Sequence, residues 1–106
     1  MSNSSNVKAL PRKPSRARVE DAGRPMSQVI RERIRQAGKR FHANDNISEF
    51  IRSDVEREAL KKEVETRVQS LLESLVIDTE NDHNTRDTAR RVAKMYLNEV
   101  FRGRYE

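Results

Sequence analysis

TRDTARRVAKMYLNEVFRGRYE, residues 85–106, decides the fold of this chain. With Thr88 as N-cap, its hydroxyl can accept an N–H of the first turn, and helical residues run on from Ala89. Ala89, Val92, Ala93, Tyr96, Leu97 and Val100 recur at 3.6 residues per turn, with Arg90, Arg91, Lys94, Asn98 and Arg102 opposite. Gly103 stands where a helix that stops needs a residue free to take positive φ. The stretch reads as an amphipathic helix with one side to bury.

That side needs a partner, and the preceding segment supplies one. Ser53 and Glu56 form a capping box, and Asp54, Glu56 and Glu58 place negative charge where the helix dipole favours it. Leu60, Val64, Val68, Leu71, Leu72 and Leu75 then make an apolar stripe with no breaker between Asp54 and Val76. This should be the longest helix in the chain. The polar run 77–88 reverses direction, so that Leu71, Leu72 and Leu75 are expected to meet Val92, Tyr96 and Val100 across an antiparallel helix pair. Asp78, Glu80 and Asp82 alternate as calcium ligands do, but His83 stands where such a loop needs Gly and no acid closes it. A turn is the better reading.

Upstream, Met26, Ile30, Ile34, Ala37 and Phe41 recur at spacings of three and four, with Ser27 as N-cap and Gly38 weakening or ending the last turn. Arg31, Arg33, Arg35, Lys39 and Arg40 fill the other face, which reads first as solvated and second as a surface for an anionic partner. HANDN, residues 42–46, is a loop by composition, and Asn46 with Glu49 opens one or two helical turns through Ile47, Phe50 and Ile51. Residues 1–24 hold Lys8, Arg12, Lys13, Arg16, Arg18 and Arg24 but only three large apolar residues, too few to offset the entropy of ordering them. They are expected to be a disordered basic tail.

The expected architecture is therefore all-α, an antiparallel helix hairpin preceded by one or two shorter helices and a disordered tail. The divisions fall at 1–25, 26–52 and 53–106. Such a hairpin covers its apolar stripe on one side only, so it should add the upstream helix, self-associate or dock on a partner.

Composition agrees with a small helical unit. Of 106 residues 34% are hydrophobic and 37% charged. Residues 1–43 carry a net charge of +8 and residues 44–106 a net of −3, giving the overall +5. A basic arm on a mildly acidic body invites a nucleic-acid reading, with Lys8, Arg12, Lys13, Arg16, Arg18, Arg31, Arg35, Lys39 and Arg40 as the phosphate contacts. Against it, no aromatic is interleaved in the tail for base stacking. No apolar run approaches the ~20 residues of a membrane span. Without cysteine there is no disulfide framework, which fits a cytoplasmic setting.

DTARRVAKMY at 87–96, followed by Glu99, Phe101, Gly103 and Tyr105, resembles a segment near the start of GTP cyclohydrolase I. Members typically read T-P-x-R-[VI]-A-K-M-Y, then an acidic residue, Phe and Gly; Val68, Leu71, Leu72, Leu75 and Asp78 resemble the helix before it. The likeness spans residues 63–106, and Ala89 stands where the family usually has Pro, a change compatible with a helix. The resemblance implies conversion of GTP to 7,8-dihydroneopterin triphosphate and formate by a zinc ion held by cysteines and a histidine of a later domain. This chain has no Cys and only His42 and His83, so no catalytic or metal-ligating residue is assigned and the chain alone is expected to be inactive. In that family the helix pair packs at the outside of a ring of subunits. By that likeness Leu72, Leu75, Met95, Tyr96 and Phe101 are expected at an interface in a homo-oligomer or against a catalytic domain, the competing reading being a private monomer core. The preferred function is the helical front of a GTP cyclohydrolase I-like protein whose catalytic domain would follow Glu106. A free-standing interaction module and a small nucleic-acid-binding protein are the other two.

Overall fold

The structure, a computed structural model, describes residues 23–106, and these are helical without a strand. Helix α1 is Met26–Gln36, α2 is Asp54–Ser74 and α3 is Thr88–Met95. A 3-10 turn at Ser48–Phe50 precedes α2, a π-helical turn at Tyr96–Val100 continues α3, and a short helix α4, Arg102–Tyr105, follows. The tail with Lys8, Arg12, Lys13, Arg16 and Arg18 lies outside the described residues.

Local chemistry explains most of the boundaries. Ser53 caps α2, its Oγ accepting from the Glu56 N–H at 3.2 Å, while Glu56 reaches back to the Arg52 N–H at 2.8 Å. Asn46 Oδ1 accepts from the Ser48 N–H and opens the 3-10 turn. Helix α1 ends in a Schellman motif: Lys39 N–H donates to Ile34 O and Gly38 N–H to Arg35 O, with Gly38 at φ 68°. Helix α2 ends the same way, with Ile77 N–H on Leu72 O and Val76 N–H on Glu73 O, but Val76 rather than glycine takes φ 65°.

Three boundaries differ from the sequence reading. Helix α3 begins at Thr88 with Asp87 as cap, because the Thr88 hydroxyl donates backwards to Asn84 O. Ser27 lies inside α1, whose cap is Pro25; its amide and hydroxyl instead donate to the Glu63 carboxylate of α2. Gly103 lies within α4 without a positive φ, since Phe101 already breaks the preceding turn at φ −113°.

The hairpin is antiparallel. Arg57, near the start of α2, donates from Nη2 to Tyr105 O at 3.1 Å, and Gln69, near its end, donates to the Thr79 hydroxyl. Ala89, Ala93 and Leu97 form the buried line of α3 and the π turn, and two small residues let that helix approach α2 closely. Leu97 joins Leu60, Ile30, Ile34, Ile47 and Ile51 in one core, with Met26, Phe41, Phe50, Val64 and Tyr105 packed against it. Residues 26–52 and 53–106 thus share a core, and α1 is the element that covers the hairpin.

Two packing expectations are overturned. Leu71, Leu75 and Val100 are 57%, 60% and 56% exposed, because in an antiparallel pair the end of α3 lies beside the start of α2 and cannot meet Leu75. Arg33, placed by the sequence among solvated cations, is largely covered and bonds Glu56.

Candidate docking surface

Beyond the buried line of α3, the stretch that ends it and the turn after it carry large apolar side chains at the surface. Met95, Tyr96, Val100 and Phe101 are exposed although all four are large and apolar. Backbone geometry groups two of them. Phe101 N–H donates to Tyr96 O at 2.9 Å, a five-residue step that widens the helix by one residue. In a regular α-helix residues five apart point about 140° away from each other. Here the Tyr96 and Phe101 rings stack with centroids 5.9 Å apart and an interplanar angle of 24°. Tyr96 remains 40% and Phe101 36% exposed, so the stacked pair presents an outer surface.

A second apolar group lies at the other end of the hairpin. Leu71, Leu75 and Val76 are exposed there, Val76 at 91%, and Leu72 is half-buried beside them. Leu97 packs in the core with Leu60, fifteen residues before Leu75 on α2, which separates the two groups by roughly 20 Å along that helix. The structure therefore brings Tyr96 and Phe101 together with Met95 in the same stretch, and leaves Leu72 and Leu75 apart from them. Leu75, Met95, Tyr96 and Phe101 are exposed and Leu72 is partly so.

The basic face of α1 is a separate surface. The Arg31 and Arg35 guanidiniums stand 5.5 and 5.7 Å from the Phe41 ring centroid. Lys39 and Arg40 follow on the exposed chain, and Arg40 holds Asp45 through two bonds of 2.9 and 2.8 Å. That hydrogen bond lowers the Asp45 carboxyl to about 2. Sequence reading missed Arg104, whose guanidinium donates to the carbonyls of Phe41, His42 and Asp45 and so fastens the loop after α1 to the chain's last helix. These are contacts across some sixty residues, with no local pattern to announce them.

The acids of the connection serve its backbone. Asp78 accepts from Asn81 Nδ2 at 2.8 Å, and Asp82 accepts from the Asn84 N–H at 2.9 Å and from the Thr85 hydroxyl at 3.0 Å. Among the described residues no three His, Cys, Asp or Glu side chains gather closely enough to hold a metal ion. The thiolate and imidazole set that the cyclohydrolase resemblance implies for zinc does not fit the residues of this chain. Also among the described residues, no helix is long and apolar enough to cross a membrane. No protein-family model, curated protein or solved structure matches the chain.

Proposed function

We propose that this chain is the helical docking part of a GTP cyclohydrolase I-like protein, and that its uncovered apolar surface seats a cyclohydrolase catalytic domain. The observation that carries the reading is the division of labour within the resembling motif. Ala89 and Ala93 are spent on the chain's own core, whereas Met95, Tyr96 and Phe101 of the same motif are exposed. An aromatic pair stacked across a π turn is an amphipathic contact surface of the kind that concentrates binding energy when a partner covers it. Ring opening of GTP with release of formate would belong to the zinc-bearing domain. The role of this chain is to bind and position that domain.

The test is a calorimetric titration of the full chain into the zinc-loaded catalytic domain of a GTP cyclohydrolase I, repeated with Tyr96→Asp. Saturable heat that weakens at least tenfold in the variant is expected. Absence of heat, or equal binding by the variant, overturns the reading. Light scattering on the chain alone checks the occupant: a mass well above 12.4 kDa that Tyr96→Asp returns to monomer would give the surface to a second copy instead.

A further inference from the structure

The cations at the end of α1 are arranged differently from a merely solvated charged face. Arg31 and Arg35 come from the helix, Lys39 and Arg40 from the chain after it and Arg104 from α4, so three segments converge on the loop that contains Phe41 and His42. Among the described residues, the only one of these five with a carboxylate within ion-pairing distance is Arg40, through Asp45. Arg104 donates from both terminal nitrogens, but to carbonyl oxygens, which leave its positive charge uncancelled. The Phe41 ring holds Arg31 and Arg35 near each other without neutralising either. Lys39, Arg40, Phe41 and His42 also line an open hollow of about 270 Å³.

We propose that this surface binds single-stranded nucleic acid, phosphates on Arg31, Arg35 and Lys39 and a base over the Phe41–His42 hollow. Three features favour a strand over a free anion. The cations are spread along a helix face and the loop after it rather than gathered around a single pocket. An aromatic side chain lies among them, as stacking on bases requires. Arg guanidiniums already held over a ring are suited to lie between base and phosphate. The tail residues Lys8, Arg12, Lys13, Arg16 and Arg18 precede this surface in sequence, and the experiment separates their contribution from that of the folded face.

Fluorescence anisotropy of a labelled oligothymidylate, titrated with the full chain at low and at moderate salt, reads the affinity. With three phosphate contacts, log K should fall against log salt with a slope near −2, about 0.7 per phosphate. Arg35→Glu with Lys39→Glu, both exposed and outside the core, should weaken binding about tenfold or more at low salt and flatten that slope. Phe41→Leu, which keeps an apolar group against the core, should weaken binding with the slope unchanged. If the double variant binds as tightly as the natural chain, the tail does the binding and the proposal fails. It fails equally if the chain ignores the oligonucleotide but binds anionic phosphatidylserine vesicles, which would assign the face to a membrane surface.

Discussion

Arg33 and Glu56 meet in a two-pronged ion pair, Nη1 to Oε1 at 2.7 Å and Nη2 to Oε2 at 2.8 Å, that fastens α1 to the first turn of α2. Both side chains are mostly covered, at 12% and 17% exposure. Arg33 also donates to Phe50 O, and Glu56 also accepts from the Arg52 N–H, so the pair ties together both helices and the 3-10 turn between them.

Glu56→Gln keeps the shape but removes the charge that holds both prongs. Hydrogen bonds to charged groups contribute about 1.5–3 kcal/mol each, and leaving Arg33 covered without its anion adds to the loss. Urea unfolding should show a destabilisation of about 2 kcal/mol or more. An unchanged midpoint would mean that the pair is not formed in solution.

The same carboxylate gives stability a pH dependence. Bonding to Arg33 holds the Glu56 carboxyl below its ordinary value against the opposing effect of burial. At Glu63 burial pushes upward, and the Ser27 hydroxyl and amide together with Arg67 bring the net shift downward. A depressed carboxyl stabilises the fold above its unfolded value, near 4.3, and that contribution disappears as pH falls through the lower folded value. Melting temperature should therefore be level from pH 7 to 5 and fall below about 4.3. Glu56→Gln should make that fall shallower.

Val76 is β-branched and sits at φ 65°, where a left-handed residue costs about 1–2 kcal/mol, and its side chain is nearly free of contacts. Gly38 takes the equivalent place at the end of α1 without that cost. Val76→Gly should therefore stabilise the protein by about 1 kcal/mol, after allowing for the greater freedom of glycine in the unfolded chain. Chemical denaturation reads it directly. A loss of stability would show that Val76 is packed in solution.

Among the described residues Ile34 is the most deeply buried large side chain, and it belongs to α1 rather than to the hairpin. Ile34→Ala should cost about 2–5 kcal/mol by lost burial and the cavity left behind. A cost under 1 kcal/mol would show that the hairpin folds without α1.

The periodic features were legible in the sequence. The stripe of α1, the start of the α2 stripe, the Ser53 cap and the Gly38 stop depend on neighbours within a few residues, and the order of the α-helices follows from them. What could not be read depends on which helix lies against which. Ser27 looks like a cap until Glu63 is seen to take both its donors, and Arg33 looks solvated until Glu56 covers it. The π turn has no residue pattern of its own, and without it Tyr96 and Phe101 point apart. Val100 and Leu75 belong to good apolar stripes and still miss each other, because the hairpin's direction places them at opposite ends. Periodicity alone puts Tyr96 on the apolar face that packs inward, yet Tyr96 is 40% exposed.

Hydrogen exchange of the full chain, free and with a zinc-loaded GTP cyclohydrolase catalytic domain, tests the docking surface most directly. The account predicts slowed exchange in residues 95–101 on adding the domain, with α1 unchanged. A complex that forms without protecting residues 95–101, or no complex at all, would contradict it.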